Sequence, residues 1–185
     1  KDRVAIGVNI AVKIEGVEAL QANIRKLVNQ VAPKAAAKAI NKVARSAIKN
    51  GTKNVSKEIH VPAKLIRKRT RLSQKATANR PVAKIRVDRR NLPLIRLLEN
   101  PRRAVRASKG QIRIGKYSIQ RGFIQTLANG RKHVMQRQGK ERYSIDVVKV
   151  PLSRPLTTAF HNELKDYSNQ IKVELTRELS DIFKK

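Results

Sequence analysis

Val4, Ile6, Val8, Ile10, Val12 and Ile14 alternate with Ala5, Gly7, Asn9, Ala11 and Lys13. Apolar residues at period two predict a β-strand with one buried face. Gly16 ends that run, and the period then changes. Val17, Leu20, Ile24, Leu27, Val28 and Val31 recur at helical spacing and predict a helix over about 17–30. Pro33 interrupts the pattern and opens a second, Ala-rich helix over about 33–49. Its apolar stripe is Ala36, Ile40, Val43, Ala44, Ala47 and Ile48, and Asn50-Gly51 reads as its stop. Pro62 opens a short basic helix over about 62–71, anchored by Leu65, Ile66 and Leu72.

After Ser73 the texture changes. Ala83, Ile85 and Val87 alternate with Lys84, Arg86 and Asp88, a strand that Leu92–Leu98 is placed to pair with. Residues 99–110 carry no period and read as a basic loop. Ile112, Ile114, Tyr117 and Ile119 predict a further strand. Phe123–Leu127 and His133–Arg137 flank Asn129-Gly130, a pair favoured in tight hairpin turns. Arg142–Val150 is another β run. From Pro155, one long helix is expected, with the stripe Leu156, Phe160, Leu164, Tyr167, Ile171, Leu175, Leu179 and Ile182.

Strands and helices are segregated rather than alternating, which predicts an α+β fold. It comprises an N-terminal strand and helices, an antiparallel meander of short strands and a long C-terminal amphipathic helix. The chain of 185 residues is expected to form a single domain. Its parts are an N-terminal strand or arm (1–16), a helical part (17–72), a β-rich basic part (78–150) and the C-terminal helix (155–184). The chain begins at Lys1 rather than Met, so the natural start is left open.

Composition sharpens the picture through charge. Residues 61–154 hold 26 basic and 4 acidic side chains, a net +22 of the chain's +30. Residues 155–185 balance at 5 and 5. Such a field opposes compaction and persists where a polyanion or an acidic partner neutralises it. Aromatic residues make up only 3%, so the core must be aliphatic. The same scarcity argues against a base-stacking platform for single strands. Cys is absent, which removes disulfides and thiolate metal sites. No apolar run approaches the roughly 20 residues of a membrane-spanning helix.

Catalytic chemistry finds little support. His60, His133 and His161 do not stand at metal-ligand spacing. There is no phosphate-binding Gly-rich loop and no nucleophile elbow. Asp88, Glu99, Glu141 and Asp146 are the only acids of the basic segment, a thin supply for a two-metal nuclease. No enzyme activity, cofactor or small-molecule substrate is expected. The basic clusters are therefore the candidate contact residues for DNA or an acidic partner. They are Lys64, Arg67, Lys68, Arg69 and Arg71; Arg86, Arg89 and Arg90; and Arg102, Arg103, Arg106 and Lys109. On one helix Lys64, Arg67, Lys68 and Arg71 would share a face. With no motif for base readout, contact with duplex DNA would be to its backbone. A free-standing, sequence-independent nucleic-acid-binding protein is the alternative that composition alone favours.

Longer phrases carry a resemblance. Residues 35–47 (AAAKAINKVARSA) resemble the N-terminal helix of the minor tail protein Z family of lambda-like long-tailed phages. Residues 83–95 (AKIRVDRRNLPLI) are similar to that family's following β segment. Residues 122–137 (GFIQTLANGRKHVMQR) and 142–160 (RYSIDVVKVPLSRPLTTAF) resemble it more strongly. The resemblance covers roughly residues 17–165 and is weakest at residues 1–16 and at the end of the last helix. It implies a non-enzymatic virion protein that completes the head-proximal end of the tail after assembly in the host cytoplasm. The implied neighbours are the tail terminator, the tape measure protein, further copies in a six-fold ring, and the DNA end. Val4, Ile6, Val8, Ile10 and Val12 of the strand, with Phe160, Leu164, Tyr167 and Ile171 of the last helix, are the expected interface with a neighbour.

Overall fold

The structure, a computed structural model, describes residues 17–98, 110–139 and 144–184. The predicted strand at 4–14 and the loop residues 99–109 lie outside the described residues, as do Arg142 and Tyr143 of the last β run.

Helix α1 (Val17–Lys26) leads through a π-helical turn (Leu27–Val31) into α2 (Ala32–Ile59). Pro33 sits in the first turn of α2, as expected, but the helical backbone before it is widened rather than interrupted. The Ala32 N–H donates to the carbonyl of Leu27, five residues back. Proline lacks an N–H and its ring crowds the carbonyl four residues earlier, and a widened turn relieves both problems.

Asn50-Gly51 does not stop the second helix either. Gly51 is buried mid-helix, and a Cβ there would stand 3.3 Å from the ring of Phe160. A mid-helix Gly costs about 1 kcal/mol relative to Ala. Seating a Phe ring directly on the backbone offsets this, since a buried aromatic is worth several times as much. The true stop is His60, in the left-handed region at φ 52°, with Pro62 two residues on. The Tyr117 hydroxyl donates to the terminal carbonyl of Ile59 at 2.6 Å, and the Ser56 hydroxyl donates to Val61 O at 2.6 Å.

The predicted basic helix at 62–71 is shorter. Helix α3 spans Ala63–Arg67, and Thr70 begins strand β1 (Thr70–Gln74). The Thr70 hydroxyl donates to Arg67 O at 3.3 Å and stands 3.4 Å from that of Thr52 on α2, which favours extended chain at this β-branched residue. Strand β2 (Lys84–Val87) pairs antiparallel with β1. The Leu92–Leu98 segment does not pair with β2. Strand β3 (Leu92–Pro93) is followed by a 3-10 turn (Leu94–Leu97) and pairs with β9 (Lys149–Val150), tying the chain after β2 to the segment that leads into the C-terminal helices. The strand expected across 112–119 folds back at Gly115, φ 58°, into a hairpin of β4 (Gln111–Ile114) and β5 (Tyr117–Gln120). The hairpin at Asn129-Gly130 forms as predicted, with β6 (Gly122–Thr126), β7 (Lys132–Arg137) and a third strand, β8 (Ile145–Val147). Among the described residues all pairings are antiparallel, but they make four small sheets rather than one meander.

The long C-terminal helix is two helices, α4 (Ser153–Leu164) and α5 (Tyr167–Phe183). Asp166 between them is non-helical at φ −113°, ψ 30°, and accepts a 2.6 Å bond from Asn169. The break keeps both helices against α2. Phe160 of α4 lies on Gly51, while Glu174 and Glu178 of α5 reach Lys42 and Lys38. The architecture is α+β: helices packed on a long helical spine, with small antiparallel sheets around its C-terminal half.

The core is aliphatic, as composition requires. Val55, Val61, Ile66, Leu94, Ile112, Val134, Leu152 and Leu156 are essentially inaccessible, and Phe160 completes the cluster. Phe160→Ala should cost roughly 3–5 kcal/mol, because α4 cannot close onto a glycine backbone without the ring. Urea denaturation should show a lower midpoint with an unchanged slope, and Phe160→Leu should lose less.

Candidate functional site

Residues just after α3, along β1 and β2 and just beyond β2 build a shallow basic crevice of about 530 Å³. It is lined by Lys68, Arg69, Arg71, Arg86, Val87, Asp88, Arg89 and Arg90. The hairpin register places Arg71 directly opposite Arg86, and both side chains are exposed. Like charges in this relation repel, so the pairing opposes stability in isolation. On the other face of the same strands, buried Thr70 and half-buried Leu72, Ile85 and Val87 hold the register.

Asn41 fixes this hairpin to the spine. Its side-chain amide donates to Ala76 O at 2.8 Å and its oxygen accepts from Ala76 N at 2.9 Å. Ala76 is buried, so the connection leaving β1 is clamped onto α2.

One acid sits among the six basic residues. Both Arg90 guanidinium bonds go to Asp88, at 2.9 and 2.7 Å, and the Arg90 backbone N–H adds a third at 3.1 Å. Arg69 lies 3.6 Å from the same carboxylate and donates to Arg90 O at 2.7 Å. The Arg90 hydrogen bonds, then the charges of Arg90 and Arg69, hold the Asp88 carboxyl well below the usual carboxylate range. Arg69, 16% exposed, is thereby committed to the fold. Arg89 leans on α4, donating to Thr157 Oγ1 at 3.3 Å.

The site residues proposed from sequence are thus divided. Lys68, Arg69, Arg71, Arg86, Arg89 and Arg90 converge. Lys64 and Arg67 are exposed on α3 but do not line the crevice, and the helical face expected for Lys64, Arg67, Lys68 and Arg71 does not exist. Arg102, Arg103, Arg106 and Lys109 lie outside the described residues, as do Val4, Ile6, Val8, Ile10 and Val12. Phe160 is spent in the chain's own core. Leu164, Tyr167 and Ile171 instead line a second, apolar groove with Ile40, Val43, Ala44, Ala83 and Ile85. Sequence reasoning missed the clamp by Asn41 and the knot at Asp88. An Asp two residues before an Arg is a local signal for the latter.

Several acids elsewhere are engaged within the fold. Glu174 bonds Lys42 at 2.6 Å and Arg177 at 3.3 Å, and Lys42 first, then Arg177, lowers its pKa. Glu163 accepts from Asn54 at 2.8 Å. Among the described residues, no carboxylate lies within 4.0 Å of Lys68, Arg71 or Arg86. No group of three His, Cys, Asp or Glu among them is placed to hold a metal ion. None of the described helices is long and apolar enough to cross a membrane.

The profile of the family described as "Prophage minor tail protein Z (GPZ)" matches residues 14–185. The chain belongs to that family. It is 40% identical over 183 residues to the "Tail completion protein" of Escherichia phage N15, covering 89% of this chain and 99% of the relative. It is 41% identical over 167 residues to the "Tail completion protein Z" of Escherichia phage lambda, covering 82% of this chain and 86% of the relative. No solved structure matches. In this family member the crevice rests on Asp88, whose depressed pKa stabilises the hairpin at pH values above the unfolded carboxylate's, about 4. The contribution is lost as pH falls below about 4. Asp88→Asn should therefore flatten the acid limb of a stability–pH curve, with the wild-type advantage present at pH 7. Urea midpoints between pH 2 and 7, each compared with wild type, test this; parallel curves would contradict it.

Proposed function

We propose that this chain is a structural component of a phage tail that completes the tail's head-proximal end, assembling as a ring with its basic crevice toward the DNA end or an acidic neighbour. Membership in the minor tail protein Z family and the names of the N15 and lambda relatives support the tail role. The tail terminator and tape measure proteins are the proposed neighbours.

The observation that carries the electrostatic part is the Arg71–Arg86 cross-strand pair. Two outward arginines in register, with no carboxylate within 4.0 Å among the described residues, oppose folding and favour an external anion. Arginine's planar fork suits phosphate oxygens and Lys68 adds a point charge, so four contacts by Lys68, Arg71, Arg86 and Arg89 would be sequence-blind. Asp88 has the opposite role: it orders Arg69 and Arg90 and keeps them from the anion.

Binding to a duplex as a function of salt tests the reading. With about four phosphates engaged, the log–log slope should be roughly −4. Arg71→Glu with Arg86→Glu should bring it to about −2 or weaker. In phage lacking their own copy of the gene, that variant should enter tails yet give fewer infectious particles. Normal titres, with a flat salt response for the wild type, would overturn the reading.

A further inference from the structure

Among the described residues, strand β2 has an unpaired edge. The β1–β2 sheet has only two strands among the described residues, and β2 contributes Ile85 to the wall of an apolar groove of about 370 Å³. Ile40 and Val43 of α2, with Leu164, Tyr167 and Ile171, supply the rest. Tyr167 is 53% exposed, so the groove is open to solvent. An open backbone edge beside an apolar floor is what an added strand with one apolar face would complete: its N–H and C=O groups pair with β2, and alternate side chains fill the groove.

The chain carries one such segment outside the described residues. Val4, Ile6, Val8, Ile10 and Val12 alternate with small or polar residues and contain no proline. We infer that residues 4–12 of one copy dock as a strand on the β2 edge of a neighbouring copy, with their apolar face in its groove.

Geometry selects the neighbour's groove over the chain's own. Helical backbone continues from Val17 through the π turn to Ile40. At 1.5 Å per residue this places Val17 about 35 Å from Ile40 along the axis. Five Cα-to-Cα steps lead from Val12 to Val17, a reach of at most about 18 Å. The segment as a whole cannot lie on its own groove; only Val4 and Ile6 have the length to touch it. Docked on a neighbour, each copy's arm leaves its own groove open to the next. That relation is heterologous and closes into a ring when the rotation permits. The inference deepens the proposed ring and rests on it.

The chain has no cysteine, so introduced pairs report without background. Full-length chains with Ile6→Cys, Val8→Cys or Ile10→Cys would each be mixed under mild oxidation with a differently tagged Ala83→Cys chain. Thr126→Cys, exposed on β6, serves as the control partner. The expected result is a mixed-tag disulfide dimer from at least one arm position, several-fold above the control. Mixed dimers no more frequent than with the control would overturn the inference. So would cross-links only within single chains of an Ile6→Cys, Ala83→Cys protein. A chain that still completes infectious tails but fails this test would lose the docked arm and keep the tail role.

Discussion

Helix α2 can support everything around it because its inner face is nearly free of side-chain bulk. Ala35, Ala39, Val43, Ala44, Ala47 and Gly51 are buried along that face. Small residues allow close helix approach, and dispersion then accumulates over many short contacts. At Gly51 the limit is reached: Phe160 rests on backbone. That seat fixes α4, α4 steadies Arg89 through Thr157, and Asn41 on the same spine clamps the chain leaving β1. The basic crevice is thus held from the spine through two separate links.

Charge is partitioned along the same framework. Glu174 and Glu178 of α5 meet Lys42 and Lys38 of α2, and the partly shielded Lys42–Glu174 pair fastens helix to helix. The hairpin has Asp88 alone, and that carboxylate is saturated by Arg90 and Arg69. Lys68, Arg71 and Arg86 are left without an anion at close range among the described residues. An exposed ion pair is worth little in water, so the fold gains little from any acid added there. Whatever the surplus serves, it is not internal pairing.

Some local patterns were legible. The Asn129-Gly130 hairpin and the helical character of residues 17–59 and of the C-terminal part follow from patterns that local chemistry decides. The misread positions have different causes, tertiary contact at one and local backbone geometry at the others. Gly51 reads as a stop until Phe160 is known to cover it. Pro33 reads as a break until the π turn is seen to absorb it. Leu156 to Ile182 keeps helical spacing through Asp166, so the spacing could not reveal a change of helix there. The crevice was legible as a list of basic residues but not as a shape. Helical spacing put Arg71 beside Lys64 and Lys68, whereas strand register puts it opposite Arg86.

A density map of the completed tail measures the central claim most directly, through the position of the β1–β2 hairpin relative to the tail axis. The account predicts that Lys68, Arg71 and Arg86 face DNA or an acidic protein surface within about one Debye length, roughly 8–10 Å. A hairpin on the outer rim, with those three side chains in open solvent, would contradict it.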